Sequence, residues 1–270
     1  MNQVMMEEAI QSTREAAKRV GRWYFNRLLD SSSLQMLFVC GHMRSGSSLL
    51  VHILNSNPVI VGYGETHHKY LSSSDFGKPA LSVYWSFKRF PYRERYVLDK
   101  VVHTPHLKDP TLLRDAQTVF LIRRPEAALS SLLEFCPGEV PGGGKVETAR
   151  EAFDYYTGRL EWIREASASI PPALWTFITY QDLVNQTERA FRRIEGLLSL
   201  KTGLTSEYKT TWATGHTWVG DHSERIQTGK IVSREKRPVA EEVKPFIEEA
   251  QNAFDLCLDK LRNQKNGITA

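Results

Sequence analysis

The sequence predicts an α/β domain whose central sheet is mostly parallel and is flanked by helices. Short apolar runs, each long enough for one buried strand, alternate along the chain with segments of helical periodicity. Such alternation is typical of a parallel sheet that is covered on both faces. Because the 270 residues show no internal repeat and no linker, we predict one domain over 1–270. Within it we expect an N-terminal helix in 1–33, a motif-bearing core in 34–237 and a C-terminal helix in 238–270.

The N-terminal segment has the periodicity of an amphipathic helix. Ile10, Ala17, Val20, Tyr24 and Leu28 fall near one face of that helix. Its many basic residues would also suit a helix on a membrane surface. Three glutamates dilute that charge, however, so we favour a helix that packs on the domain and exposes a basic face.

The rest of the chain divides into apolar runs and helical segments. Strands are expected at 34–40, 59–65, 95–103, 118–123 and 174–180. Helices are expected at 47–55, 125–135, 147–167 and 186–199, with a closing helix at 239–262. Residues 136–145 are too rich in glycine and proline for either element, and 201–238 read as irregular.

Composition and charge exclude several classes of protein. Hydrophobic residues make up 41% and charged residues 24%, as in ordinary globular domains. Lysine and arginine (35) exceed aspartate and glutamate (31) by only four, so we expect no nucleic-acid partner. The three cysteines are far apart, which argues against disulfides and against a metal site. Without a secretory leader or an apolar run of membrane length, we expect a cytoplasmic protein with no membrane insertion. Nothing in the sequence indicates the oligomeric state.

The junction of the first strand and first helix favours an anion-binding turn. The segment FVCGHMRSGSSLL (38–50) runs from an apolar strand through Gly41 and Gly46 to two serines at a helix start. Such a turn brings backbone N–H groups and the positive end of a helix dipole together. An ordinary turn with an N-capping serine is the simpler alternative, but Arg44 within the loop favours an anion site.

Two absences argue against a nucleotide-hydrolysing loop. Such a loop would carry lysine where Ser47 stands, and a strand-end aspartate would hold Mg²⁺. Here the run at 118–123 ends in Arg123, followed by Arg124. Because an arginine at a strand end can bind an anion directly, we predict an anion site that uses no metal.

These residues resemble the PAPS-dependent sulfotransferase family, whose donor is 3′-phosphoadenosine 5′-phosphosulfate (PAPS). The residues that match the family's 5′-phosphosulfate loop are Arg44, Ser45, Gly46, Ser47 and Ser48. Those that match its 3′-phosphate motif are Arg123, Pro125 and Ser131. The family tyrosine after the last strand is matched by Tyr180, and a late segment of bacterial members by Gly220 and Arg225.

The resemblance covers roughly residues 34–237 and is closest to the bacterial and carbohydrate branches. It implies a P-loop NTPase-like sulfotransferase fold, PAPS as cofactor and a small-molecule acceptor. By resemblance, Lys100 corresponds to the family's strand lysine, and with Arg44 it would stabilise the departing phosphate.

A base must help the acceptor lose its proton, and three residues are candidates. Glu65 ends the second predicted strand and ranks first, because parallel strands end at the ligand edge of a sheet. His103 ranks second, and His67 or His68 is the third candidate. We expect partial burial to raise the pKa of Glu65 toward a useful value.

The acceptor itself is open. Acidic residues expected near the cleft mouth favour a cationic acceptor: Glu65, Asp75, Glu94, Asp99 and Glu139. A guanidinium natural product of the saxitoxin kind and a sugar or glycolipid both fit, with a hydroxyl or an amine as the reacting group. Two other functions remain as alternatives, a P-loop kinase using ATP and Mg²⁺ and a non-catalytic nucleotide-binding module.

Overall fold

The central feature of the fold is one parallel sheet. The computed structural model describes residues 3–31, 33–87, 93–135, 146–211, 214–215, 224–232 and 238–267. The strands in this part of the chain are β1 (Gln35–Gly41), β2 (Ile60–Val61), β3 (Tyr96–Val101), β4 (Gln117–Ile122) and β5 (Trp175–Thr179). They are hydrogen-bonded in the order β2-β3-β1-β4-β5, and each pair is parallel. The predicted α/β fold with a parallel sheet is therefore confirmed.

Helices cover both faces of this sheet. They are α1 (Gln3–Asp30), α2 (Ser47–Asn55), α3 (Gly77–Phe87), α4 (Pro125–Phe135), α5 (Ala149–Ser169), α6 (Tyr180–Asn185), α7 (Thr187–Leu198) and α8 (Ile247–Lys265). Along β1, Phe38 and Cys40 point into the core beneath α3, α4, α5 and α8. Leu37 and Val39 point into the opposite core, beneath α2 and α7. Both faces of the strand are buried, which explains why its sequence is continuously apolar.

The second strand is shorter than predicted. The pattern at 59–65 predicts seven residues, but the ladder contains only Ile60 and Val61. A Cβ atom on Gly62 would lie 2.5 Å from the Leu98 carbonyl oxygen, so the chain passes β3 too closely for a side chain there. Gly64 then turns the chain with a φ of 132°. The two glycines end the ladder before Glu65 is reached.

The N-terminal helix packs on the domain over only part of its length. Gly21 and Phe25 of α1 lie against α3, and Phe25 is 1% exposed. Ile10 and Val20 are 41% and 66% exposed, so the predicted apolar face does not pack at these positions, whereas Leu28 near its C-terminal end packs against the core. No helix in the described part of the chain combines the length and the apolar character needed to cross a membrane.

Candidate active site

The turn after β1 has the backbone geometry that an anion site requires. β1 ends at Gly41 and α2 begins at Ser47, so the N-terminus of α2 lies at the edge where the strands end. Arg44 and Gly46 adopt left-handed conformations, with φ of 62° and 92°. A Cβ atom on Gly46 would lie 2.5 Å from the Tyr180 ring. Position 46 therefore needs glycine both for its backbone angle and for its close contact.

Arg123 follows β4 and is fixed beside this turn by four contacts. Its backbone N–H donates to His42 Nε2 at 3.1 Å, and its carbonyl accepts from the Tyr156 hydroxyl at 2.7 Å. Its Nη1 donates to the Arg44 carbonyl at 2.8 Å. Its guanidinium carbon lies 4.2 Å from the centre of the Tyr180 ring. The side chain is thus oriented in advance, which reduces the entropy lost when it binds an anion.

His42 joins the turn to Arg123 as a neutral imidazole. Its Nδ1 donates to the Met43 carbonyl at 2.7 Å, so its Nε2 carries no proton and accepts from Arg123. Burial lowers the pKa of His42 to about 3. The contact therefore persists across the neutral pH range.

The two phosphate motifs identified in the sequence form one continuous site. Arg44 Nε donates to Ser131 Oγ at 2.9 Å, which joins the turn to α4. Ser131 is only 2% exposed. Pro125 is the first residue of α4, where a missing N–H leaves no hydrogen bond unmade.

Beside the turn lies an open cleft of about 660 Å³. Its lining is Arg44, Gly46, Ser47, Ser48, Leu49, Arg123, Tyr180, Tyr208, Arg225, Ile226, Lys230 and Val232. Four of these described residues are cationic and none is acidic. A ligand with one sulfate and two phosphate groups, such as PAPS, fits this excess of positive charge.

Lys100 connects the anion-binding turn with the candidate base. β3 lies beside β1 in the sheet, with Lys100 opposite Val39. Lys100 Nζ lies 2.9 Å from Glu65 Oε1 and 3.3 Å from Ser48 Oγ, and its side chain is 4% exposed. The fold therefore brings together three residues that the sequence had suggested separately.

His103 lies on the other side of Glu65. Its Nε2 is 3.8 Å from Glu65 Oε2, and His67 Nδ1 is 3.9 Å from the same oxygen. Burial lowers the pKa of His103 to about 4; Glu65 opposes this shift, and the positive charges of Arg159 and Lys100 add to it. At neutral pH His103 is unprotonated and can accept a proton.

The expectation that burial raises the pKa of Glu65 toward neutrality is wrong. Burial is the largest single influence and does act upward, but Lys100 and His103 together outweigh it. The pKa of Glu65 therefore lies below its ordinary value. The missing information was the contact with Lys100, which depends on how β2 and β3 lie in the sheet.

The acidic residues expected at the cleft mouth are scattered by the fold. Asp99 is 2% exposed and accepts a hydrogen bond from Tyr70 beneath the sheet edge. Glu94 is 6% exposed, and Asp75 pairs with Lys78 at 2.6 Å. Only Glu65 of the four described acids lies at the site. The observation that favoured a cationic acceptor is thereby lost.

Some suggested residues lie outside the part of the chain that the structure describes. They are Gly220, Glu139 and the loop 136–145. Arg225, on the short 3₁₀ helix Glu224–Thr228, is described and lines the cleft.

The sequence reasoning missed a set of residues on α5. The Tyr155 hydroxyl accepts from the Met43 N–H and donates to the Val102 carbonyl, both at 2.7 Å. Arg159 is buried on the same helix and donates to the ends of β1 and β3. One signal was present, because Arg159 occupies a position of the helical repeat that is otherwise apolar. Lys230, in the cleft, had no such signal.

Comparison with known proteins gives one family match and several proteins of similar fold. The family model described as "Sulfotransferase family" matches residues 75–203. These residues begin after the anion-binding turn, so the resemblance of the turn to a sulfotransferase loop is a separate observation. No curated protein matches the chain. A solved sulfotransferase domain from the curacin biosynthetic pathway has the same fold at 13% identity and a TM-score of 0.54, covering 80% of this chain and 97% of that domain. Mouse sulfotransferase SULT7A1 complexed with PAP is similar at 15% identity and a TM-score of 0.47, covering 88% and 90%. The family match covers slightly less than half of the chain, and together with the shared fold and the donor-site motifs it makes the chain similar to the PAPS-dependent sulfotransferases.

Proposed function

We propose that this sulfotransferase moves the sulfuryl group of PAPS to a hydroxyl group of a small polar metabolite. The observation that carries the proposal is the contact of Lys100 with both Ser48 and Glu65. It joins the end of the anion-binding turn to a pair of proton-accepting groups. A donor group at the turn and an acceptor hydroxyl at Glu65 would then be close enough to react.

The donor would lie along the cationic cleft. We assign the 5′-phosphosulfate to the turn from Arg44 to Ser48, where backbone N–H groups and the start of α2 converge. We assign the 3′-phosphate to Arg123, which lines the cleft together with Arg225, and to Ser131, which is buried beside Arg44. The Tyr180 ring supports Arg123 from behind.

Two cations would stabilise the phosphate that leaves. Lys100 is buried next to Ser48, and Arg44 is held at the turn by its hydrogen bond to Ser131. Charge develops on the departing oxygen as the sulfur–oxygen bond breaks, and fixed positive charges close to it lower the barrier. Catalysis of sulfuryl transfer depends mainly on positioning the reactants and on electrostatic stabilisation, as in phosphoryl transfer.

For the base, the geometry favours His103 over Glu65 and reverses the order that the sequence suggests. An acceptor oxygen at about 2.8 Å from each group fits between His103 Nε2 and Glu65 Oε2, which are 3.8 Å apart. His103 is neutral and can take the proton, while Glu65 remains ionised in its pair with Lys100. Glu65 then orients the hydroxyl and stabilises the imidazolium that forms.

An uncharged hydroxyl compound fits this arrangement better than a guanidinium compound. Lys100 and Arg159 place two positive charges around the single carboxylate of Glu65. A cationic acceptor would be repelled by both. The similar domain from the curacin pathway belongs to a biosynthetic pathway, which supports a place in secondary metabolism. A sugar hydroxyl remains compatible with the same site.

Single-turnover rates distinguish the two bases. His103→Ala should lower the rate of transfer from [³⁵S]PAPS by roughly 10²–10⁴-fold and leave PAP binding unchanged. Glu65→Gln should keep more activity, because the imidazole still accepts the proton. If Glu65→Gln is the inactive variant and His103→Ala turns over, Glu65 is the base.

Ligand stabilisation separates this function from the alternatives. A ligand that binds only the native state raises the melting temperature. Stabilisation by PAP in the presence of a chelator supports the sulfotransferase. Stabilisation only by ATP with Mg²⁺ supports the kinase, and PAP binding without transfer to any acceptor supports the binding module.

A further inference from the structure

Arg159 is a buried cation beneath the proposed site. It is 2% exposed and projects from α5 toward the ends of two strands. Its Nε donates to the Gly41 carbonyl at 3.0 Å and its Nη2 to the Val101 carbonyl at 3.1 Å. Its Nη1 donates to Thr104 Oγ1 at 3.0 Å, and its guanidinium carbon lies 4.4 Å from the centre of the Trp162 ring.

This cation has no acidic partner in the described part of the chain. None of the ion pairs there includes Arg159. Its hydrogen bonds go to two carbonyls and one hydroxyl instead. Burying a charge that makes no ion pair is unfavourable, and the carboxylate of Glu65 acts on Arg159 only from a distance. An apolar side chain of similar volume would avoid that cost. Stability alone therefore does not explain an arginine at this position.

The contacts of Arg159 fall on the two segments that carry the reacting groups. Gly41 is the last residue of β1 and leads into the anion-binding turn. Val101 directly follows Lys100, and Thr104 directly follows His103. One planar guanidinium thus binds both strand ends, which the sheet places side by side, at the point where the donor-binding turn and the acceptor side begin.

We propose that Arg159 is a positioning residue for sulfuryl transfer, which holds the donor-binding turn and the Lys100–His103 segment in register and supplies a fixed positive charge beneath them. This inference rests on the proposed function. The inference adds to that function a defined part for α5, although this helix does not line the donor cleft.

The positive charge of Arg159 also affects the pKa of His103, the proposed base. The groups that face His103 are Glu65, Lys100, His106, Tyr155 and Arg159, from β3, α5 and the connecting turns. Burial lowers the pKa of His103 most, and of the neighbouring positive charges Arg159 lowers it most. Removing Arg159 therefore raises the pKa of His103, while the negative charge of Glu65 remains.

The test compares Arg159→Met with Arg159→Lys. Each variant is assayed with [³⁵S]PAPS and water as the acceptor, from pH 4 to 9, so that no acceptor need be known. Water gives up a proton as its oxygen bonds to sulfur, and sulfate and PAP leave. Arg159→Met should lower the rate about 10- to 100-fold, as expected when reacting groups are misplaced by about 1 Å, and should move the acid limb to higher pH. Arg159→Lys keeps the charge, so it should restore the acid limb but not the rate.

Arg164→Met is the matched control, because Arg164 lies on the same helix, is 39% exposed and pairs with Glu161. It should change neither the rate nor the acid limb. If Arg159→Met fails to fold, Thr104→Val removes one of the three hydrogen-bond partners and should lower the rate several-fold. A wild-type rate and acid limb in Arg159→Met, or in Thr104→Val if only that variant folds, overturn the inference. Failure of the wild-type protein to bind PAP would instead overturn the proposed function.

Discussion

Gly46→Ala tests whether the shape of the anion-binding turn is as strained as the structure shows. The backbone of Gly46 has a φ of 92°, and an added Cβ atom would lie 2.5 Å from the Tyr180 ring. The left-handed conformation costs an L-residue roughly 1–2 kcal/mol. Displacing Tyr180 from Arg123 should cost about a further 0.5–1 kcal/mol. Together these give a loss of about 1.5–3 kcal/mol in the free energy of unfolding, or roughly 3–12 °C in Tm.

The assay is thermal and urea unfolding, followed by calorimetric titration with PAP. The turn cannot keep its conformation in the variant, so PAP binding should weaken about tenfold or more, which is about 1.4 kcal/mol. Gly196→Ala is the matched control, because nothing lies within 4 Å of its added Cβ atom on α7; it should be neutral or stabilise by about 0.5–1 kcal/mol. If Gly46→Ala has the stability and the PAP affinity of the wild type, the description of the turn is incorrect.

Two further predictions concern Arg123 and Asp99. Arg123→Ala should weaken PAP binding by about 2–3 kcal/mol but adenosine 5′-phosphosulfate binding far less, and equal losses in calorimetry would remove Arg123 from the 3′-phosphate site. Burial raises the pKa of Asp99 to about 6 from 3.8, so its contribution to stability is present below pH 3.8 and is lost as pH rises through 6. Asp99→Asn lacks this titration, and its stability relative to the wild type should rise by about 2 kcal/mol between pH 4 and 7. Both proteins are unfolded with urea at each pH. If the difference between their free energies of unfolding is the same at every pH, Asp99 has an ordinary pKa.

The donor side of the site could be predicted because its signals are local in sequence. The turn between Gly41 and Ser47 is one contiguous motif, and Arg123 and Ser131 are eight residues apart on one strand end and its helix. The conformation of such a short motif depends mainly on its own residues and less on distant parts of the chain. The sequence therefore identified the cationic lining of the cleft, apart from Lys230.

The acceptor side depends on contacts between distant segments, and prediction was weaker there. The low pKa of Glu65 follows from its pair with Lys100, 35 positions later in the chain, which only the sheet order brings together. Arg159 contacts Gly41 across 118 positions. Periodicity predicted that α5 is a helix, but the charge of Arg159 on its buried face was missed. It did not show which strand ends that charge would reach.

Transfer of labelled sulfate shows whether the protein moves the sulfuryl group of PAPS without a metal ion and whether Lys100 is needed for it. Purified wild-type protein is incubated with [³⁵S]PAPS and a panel of hydroxyl and amine metabolites in excess EDTA, beside Lys100→Met and the Arg164→Met control. The account predicts that the wild type and Arg164→Met form a labelled product and PAP without added metal. Lys100→Met should bind PAP but transfer at least about 10²-fold more slowly, because it lacks the charge that stabilises the leaving phosphate. Transfer that disappears in EDTA and returns with Mg²⁺, or a Lys100→Met variant as active as the wild type, would contradict the account.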